Sequence, residues 1–170
     1  MPPVNRTEEY AGTLKTEFSQ FIVTEVMPWV DRKFRTRRNS IYRATLGASN
    51  GGNIALWLGL NYPQAFGKIA AQSSYVESSI SYGFQNGPLL NTQFYLDIGT
   101  YDIPVLITLV DDLIQILHDR GCPYQYRIYH EGHSWGNWRA HVDKALEIFF
   151  PGKSLSIYQP LELYSHFSLS

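Results

Sequence analysis

The chain of 170 residues predicts an α/β fold, a mostly parallel sheet flanked by helices. Segments of strand character alternate with segments of helical character along most of its length. A turn Gly47-Ala48-Ser49-Asn50-Gly51 stands between one such strand and the helix that follows it. Ser49, Asp102 and His133 each fall just past the carboxyl end of a different predicted strand, where parallel sheets collect reactive groups.

Residues 1–12 are polar, carry two prolines, and read as an extended lead-in. From Thr16 to Phe34 the apolar residues Phe18, Phe21, Ile22, Val26, Trp29 and Val30 recur at helical spacing. Pro28 should kink or end that helix. The basic run Arg32, Lys33, Arg35, Arg37 and Arg38 reads as a solvated helix end; the sharper reading is a docking patch for an anionic substrate. Tyr42–Leu46 is the strand into the turn, and Asn53–Asn61 the helix out of it, stopped by Pro63. Lys68–Gln72 is a second strand. Ser73–Leu90 is long and has no clear period, which suggests a lid or a substrate wall. Gln93–Gly99 is a third strand, leading to Asp102. Leu109–Arg120 is a helix closed by Gly121. Tyr124–Tyr129 is a fourth strand, running into His130 and His133, and Trp138–Phe149 is helical. The expected organisation is one domain over residues 1–150 and a loose tail over 151–170.

Charge and composition narrow the function. A net charge of -1 argues against nucleic acid or an anionic membrane as the main partner. No run of about 18 apolar residues is present to span a bilayer, and the start lacks a basic-then-apolar signal pattern. The single cysteine, Cys122, allows no internal disulfide framework and reads as a structural thiol. A cytoplasmic location is the expectation. The histidines and carboxylates show no ligand spacing such as H-E-x-x-H, so neither a metal nor a cofactor is expected.

Ser49 is the expected nucleophile. A sharp strand-turn-helix forces the serine into a strained conformation with its hydroxyl exposed, and the glycines on either side give the backbone room. The helix behind it aims free N–H groups at a developing oxyanion, with the Asn50 N–H as first donor. A serine hydroxyl needs a base within hydrogen-bond reach, and His133 is favoured because its Gly-flanked loop can reach over the sheet. His130 competes from the same strand end. His118 reads as a surface helix residue, His141 lies on the last helix, and His166 is in the tail. For the acid, Asp102 has the strand-end position, whereas Asp97 lies inside its strand and Asp111 and Asp112 look like helix-start residues.

The stretch LGASNGGNIALWLGLNYPQAFGKIAAQSS, followed by EGHSWGNWR, resembles the enterochelin-esterase-like branch of the α/β-hydrolases. The segment from RTEEY to VDRKFRTRR is similar to what precedes the turn in that family, and the likeness covers Arg6 to about Phe149. It implies a partial α/β-hydrolase fold holding the last four strands, and hydrolysis of esters through a Ser–His–acid site. The family's nucleophile maps onto Ser49, its base onto His133 and its acid onto Asp102, although some members work with a Ser–His pair. Its substrates include lactone bonds of ferric catecholate siderophores and feruloyl or acetyl esters of plant polysaccharides.

Members of the family carry about as much chain again before the part that matches Arg6. The resemblance therefore implies absent first strands, an absent second oxyanion donor, and a free edge on the strand leading to Ser49, which native proteins normally cover. Either the chain is a fragment, or a second copy or another chain fills the gap. Two functions follow. One is a serine esterase forming an acyl-enzyme on Ser49, with Arg139 and the Arg35–Arg38 cluster binding an anionic siderophore, or Trp135 helping to line an aromatic cleft for a polysaccharide ester. The arginines could equally be structural, and Trp135 and Trp138, at helical spacing, could be core. The other is a truncated, inactive relative that acts as a ligand-binding module.

Overall fold

Residues 5–88 and 91–152 are described by the structure, a computed structural model. Strands β1 (Ala44–Ala48), β2 (Lys68–Gln72), β3 (Gln93–Tyr101) and β4 (Tyr124–Gly132) form one sheet in the order β1-β2-β3-β4, every neighbouring pair parallel. Parallel neighbours need crossovers, and helices α4 (Asn50–Asn61), α5 (Ser78–Asn86) and α6 (Pro104–Asp119) supply them. One sheet face carries Ile69, Ala71, Phe94, Leu96 and Ile98, which pack with Leu56, Ile80, Phe84, Val110, Leu113 and Leu117 of those helices. On the other face Ala70 and Tyr95 meet Ala145 and Phe149 of α7 (Trp135–Phe149). Strands covered on both faces read as near-continuous apolar runs, which is why KIAAQ and FYLDI show little alternation.

The N-terminal region departs from expectation. Within the lead-in expected to run extended, α1 (Arg6–Ala11) is helical, with the Asn5 side chain capping the Glu8 N–H, while residues 1–4 lie outside the described residues. The Thr16–Phe34 helix is divided into α2 (Lys15–Phe21), a π-helical turn (Ile22–Val26) and α3 (Met27–Lys33). Pro28 lacks an N–H and its ring crowds the carbonyl four residues back. The chain answers with one widened turn, in which the Met27 N–H bonds the Ile22 carbonyl, and continues through the proline. Tyr10, Phe18, Ile22, Val23 and Met27 pack against Ile54, Leu58, Ala65 and Phe66, so this layer rests on α4. Buried Asn53 joins the layers: its Nδ2 donates to the Tyr10 carbonyl at 2.9 Å, and its Oδ1 accepts the Glu77 N–H at 3.0 Å.

Other boundaries move for local reasons. Tyr42 belongs to a 3-10 turn (Ser40–Tyr42), so β1 starts at Ala44 and not Tyr42. The helix out of the turn starts at Asn50, directly after Ser49, three residues before the Asn53 expected. Ser73–Leu90 is not a long loop: α5 occupies Ser78–Asn86, while Leu89 and Leu90 lie outside the described residues. Ile80 and Phe84, four apart, bury one face of that helix, and Phe84 meets Phe94 edge-on with ring centroids 5.3 Å apart. Pro104 opens α6 at its first turn, which leaves Asp111 and Asp112 in mid-helix and not at its start. α7 begins at Trp135, three residues ahead of Trp138, capped by the Ser134 side chain. Beyond Gly152 the expected tail, with His166, lies outside the described residues.

Among the described residues β1 has a strand partner on one edge alone. A groove of about 970 Å³ wraps the other edge, bounded on one face by Phe18, Ile54 and Leu58 and on the other by Trp138, Arg139 and Val142.

Candidate active site

Strand β1 ends at Ala48, and Ser49 takes φ 55° and ψ -124° before α4 begins. A non-glycine residue at positive φ carries strain, which the surroundings must hold in place. They do so through the backbone: the Ser49 N–H donates to the Gln72 carbonyl at 2.9 Å, and the Ser49 carbonyl accepts the Gly52 N–H at 2.9 Å. A side chain at Gly47 would overlap the Gly51 carbonyl, and one at Gly52 would overlap Ser74. At Gly51 a side chain would meet open space. The second glycine that the turn requires is therefore Gly52, not Gly51.

His133 follows β4, and Asp102 follows β3 just after a break in register between Gly99 and Tyr101. Across 84 positions of sequence, His133 Nε2 lies 3.0 Å from Ser49 Oγ. Its Nδ1 lies 2.8 Å from Asp102 Oδ1. The same carboxylate oxygen accepts the Ile103 N–H at 2.7 Å, and the Asp102 side chain is fully shielded from solvent. Asn137 fixes the loop before the imidazole by donating from Nδ2 to the Gly132 carbonyl at 3.2 Å. The Asn50 N–H, at the first position of α4, has no acceptor among the described residues.

The competitors lie elsewhere. His130 is exposed, 3.4 Å from Thr100 Oγ1. His118 is exposed near the end of α6, and His141 stacks on Tyr129 with centroids 3.5 Å apart. Asp111 accepts from the Tyr126 hydroxyl at 2.6 Å, and burial beside that carboxylate pushes the phenol up. The Arg35–Arg38 run sits before the start of β1, the end of the strand opposite Ser49, where Arg43 holds Asp31 through two contacts of 2.7 Å. That location removes the run from the site. Trp135 and Arg139 are exposed on the first turns of α7 and line the groove beside β1, while Trp138 is buried. Burial pushes the Cys122 thiol up. Among the described residues no group of three His, Cys, Asp or Glu is placed to hold a metal ion, and no helix is long and apolar enough to cross a membrane.

Sequence reasoning passed over Gln72 and undervalued Asp97. Both are buried polar residues in strands otherwise made of Ile, Ala, Phe and Leu. That mismatch was a readable signal, since a buried polar group costs free energy unless it is paired.

The family model described as "Putative esterase" matches residues 3–95, more than half of the chain. The chain belongs to that family. It is 27% identical over 146 residues to the uncharacterized protein YjcH of Bacillus subtilis (strain 168), a match covering 80% of this chain and 61% of that protein. This member of the family thus spans well under the full length of that relative. Among solved structures, the enterochelin esterase of Shigella flexneri has a TM-score of 0.71 at 21% identity, covering 79% of this chain and 37% of that one. A ferulic acid esterase has a TM-score of 0.70 at 21% identity, with 78% and 60% covered. The S-formylglutathione hydrolase FrmB of Staphylococcus aureus has 0.71 at 18% identity, with 88% and 67% covered. At these identities the likeness establishes the fold: four parallel strands and flanking helices of the α/β-hydrolase type.

Proposed function

We propose that the protein is a carboxylic ester hydrolase that works through an acyl-enzyme on Ser49. The observation that carries this is the line Ser49 Oγ, His133, Asp102, with contacts of 3.0 and 2.8 Å between groups from three strand ends. In this reading Ser49 Oγ attacks the ester carbonyl while His133 Nε2 takes its proton. Asp102 holds the Nδ1–H, selecting the tautomer whose Nε2 is free to accept, and stabilises the imidazolium. The Asn50 N–H and the α4 dipole receive the negative charge on the carbonyl oxygen. His133 then protonates the departing alcohol, activates a water against the acyl ester, and returns the proton to Ser49 as the acid leaves.

Tyr101 and Trp135, which adjoin the loops carrying Asp102 and His133, are 76% and 72% exposed. Flat aromatic faces there favour an ester bearing a planar ring or a sugar, and Arg139, one turn along α7 from Trp135, favours negative charge on it. Feruloyl or acetyl polysaccharide esters match the aromatic faces, and catecholate siderophore esters match both those faces and the arginine. A second reading, a ligand-binding relative with little turnover, is favoured by the single oxyanion donor, the Asn50 N–H, identified among the described residues. Loss of one such donor costs on the order of 10²–10³ in turnover.

Intact mass after fluorophosphonate treatment separates the readings. The esterase reading expects one adduct on Ser49, absent in Ser49→Ala and His133→Ala. A folded wild type that takes up no probe, yet binds a ferric catecholate, would favour the binding module.

A further inference from the structure

Behind the Ser49 turn lies a set of buried polar groups that the reaction above does not use. Gln72 ends β2 with its main chain and its side chain both engaged, and it is 2% exposed. Its carbonyl accepts the Ser49 N–H at 2.9 Å. Its Nε2 donates to Asp97 Oδ2 at 3.0 Å and to the Trp138 carbonyl at 3.2 Å. The Trp138 indole stands edge-on to the His133 imidazole, with centroids 4.9 Å apart. One residue therefore touches the backbone of the nucleophile on one side and the support of the base on the other.

We propose that Gln72 is a positioning residue for the Ser49–His133 pair, held in its orientation by the buried carboxylate of Asp97. The inference rests on the esterase reading of Ser49, His133 and Asp102. Gln72 pairs in register with Ala48, the last residue of β1, and with Asp97 in the middle of β3, so the buried carboxylate lies level with the start of the Ser49 turn. Both hydrogens of its amide meet acceptors, and a flipped amide would set its oxygen against a carboxylate and a carbonyl. If packing were all this position did, an apolar side chain of the same length would serve as well and spare the burial of an amide. Misplacing a reacting pair by an ångström can cost about 10²-fold, and a buried tie between the two supporting elements prevents that drift.

The charged and titratable groups facing Asp97 come from several elements. Tyr95 lies on its own strand, Asp102 beyond the end of that strand, Arg127 at the paired position of β4 and His141 on α7. Burial pushes the Asp97 carboxyl up to about 6, against the pull of its hydrogen bonds from Gln72 and Tyr95.

The test compares wild type, Gln72→Met and Gln72→Glu in hydrolysis of p-nitrophenyl acetate across pH, with NMR of the histidine ring protons beside it. Gln72→Met, equal in length and without donors, should lower kcat by about 10- to 100-fold while KM changes less than about threefold. Gln72→Glu sets two carboxyls face to face. They share a proton in acid and repel when both ionise, so its activity relative to wild type should be highest near about pH 5 and fall as pH rises. A residue that merely fills space would give no such trend. The His133 ring protons, shifted by the Trp138 ring current, should move toward the positions of exposed His118 in Gln72→Met. Both variants keeping kcat within about threefold at every pH, with His133 unmoved, would overturn the proposal. A wild type without turnover or probe adduct overturns the esterase reading instead. The His133 resonances then decide the positioning role alone, moved upholding it and unmoved rejecting it. If Gln72→Met does not fold, the pH trend of Gln72→Glu carries the test, and a flat ratio to wild type rejects the proposal.

Discussion

Ser49 at φ 55° stores strain on the order of 1–3 kcal/mol, and that strain depends on neighbours at Gly47, Gly52 and Gln72. The turn was legible because a serine between glycines after a strand has few other uses. Which glycines matter was not, since Gly51 faces open space and Gly52 faces Ser74. Asp97 shows the same limit. Its strand position was plain, but its environment comes from β2 and α7. That environment has a measurable consequence. Burial raises the Asp97 carboxyl from 3.8 to about 6, so the folded state binds the proton more tightly than the unfolded chain. The stability so gained is fully present below about pH 4 and is lost as pH rises through about 6. Relative to Asp97→Asn, wild type should therefore lose on the order of 2–3 kcal/mol between pH 4 and 7. Urea unfolding of both proteins at the two pH values measures it, and a difference that does not change with pH would sink the assignment.

Helices with a single strong apolar stripe were easy to place, and α6 and α7 differ from expectation mainly at their starts, where Pro104 and Ser134 act as terminus signals. α5 was missed because its stripe is two residues, Ile80 and Phe84, set among three serines, one tyrosine and one glycine of low helical preference. Tertiary contact makes it a helix: Phe84 meets Phe94, and a side chain on Gly83 would collide with Leu60. Phe84→Ala should cost about 3–5 kcal/mol in chemical denaturation. A loss under about 1 kcal/mol would mean that the segment is a loosely held lid after all. The π-helical turn before Pro28 was equally hidden, because a proline inside a helical pattern ordinarily marks a kink or an end. Packing of Ile22, Val23 and Met27 on α4 keeps the helix going past it.

At the scale of the whole molecule the most consequential feature is the edge of β1 that has no strand partner among the described residues, with the apolar groove around it. Leu46 on that edge is 40% exposed, an arrangement that invites unwanted pairing. The groove should bind the dye 8-anilinonaphthalene-1-sulfonate in the native state. Leu46→Lys, which sets a charge in the apolar lining, should sharply reduce that fluorescence while changing stability by no more than about 0.5 kcal/mol. Equal fluorescence in the variant would place the dye elsewhere.

From its residue pattern the chain alone determined the alternating α/β class, the strand order of its reactive groups and the identity of Ser49, Asp102 and His133 as candidates, because each depends on local signals and on the rule that parallel strands collect function at one end. Only the tertiary structure decided that His133 and not His130 meets Ser49, that the arginine run lies at the wrong end of the sheet, and that Gln72 and Asp97 stand behind the site. Those outcomes depend on which side chains face each other across neighbouring strands and on α7 folding back over them, distances that no spacing along the chain encodes.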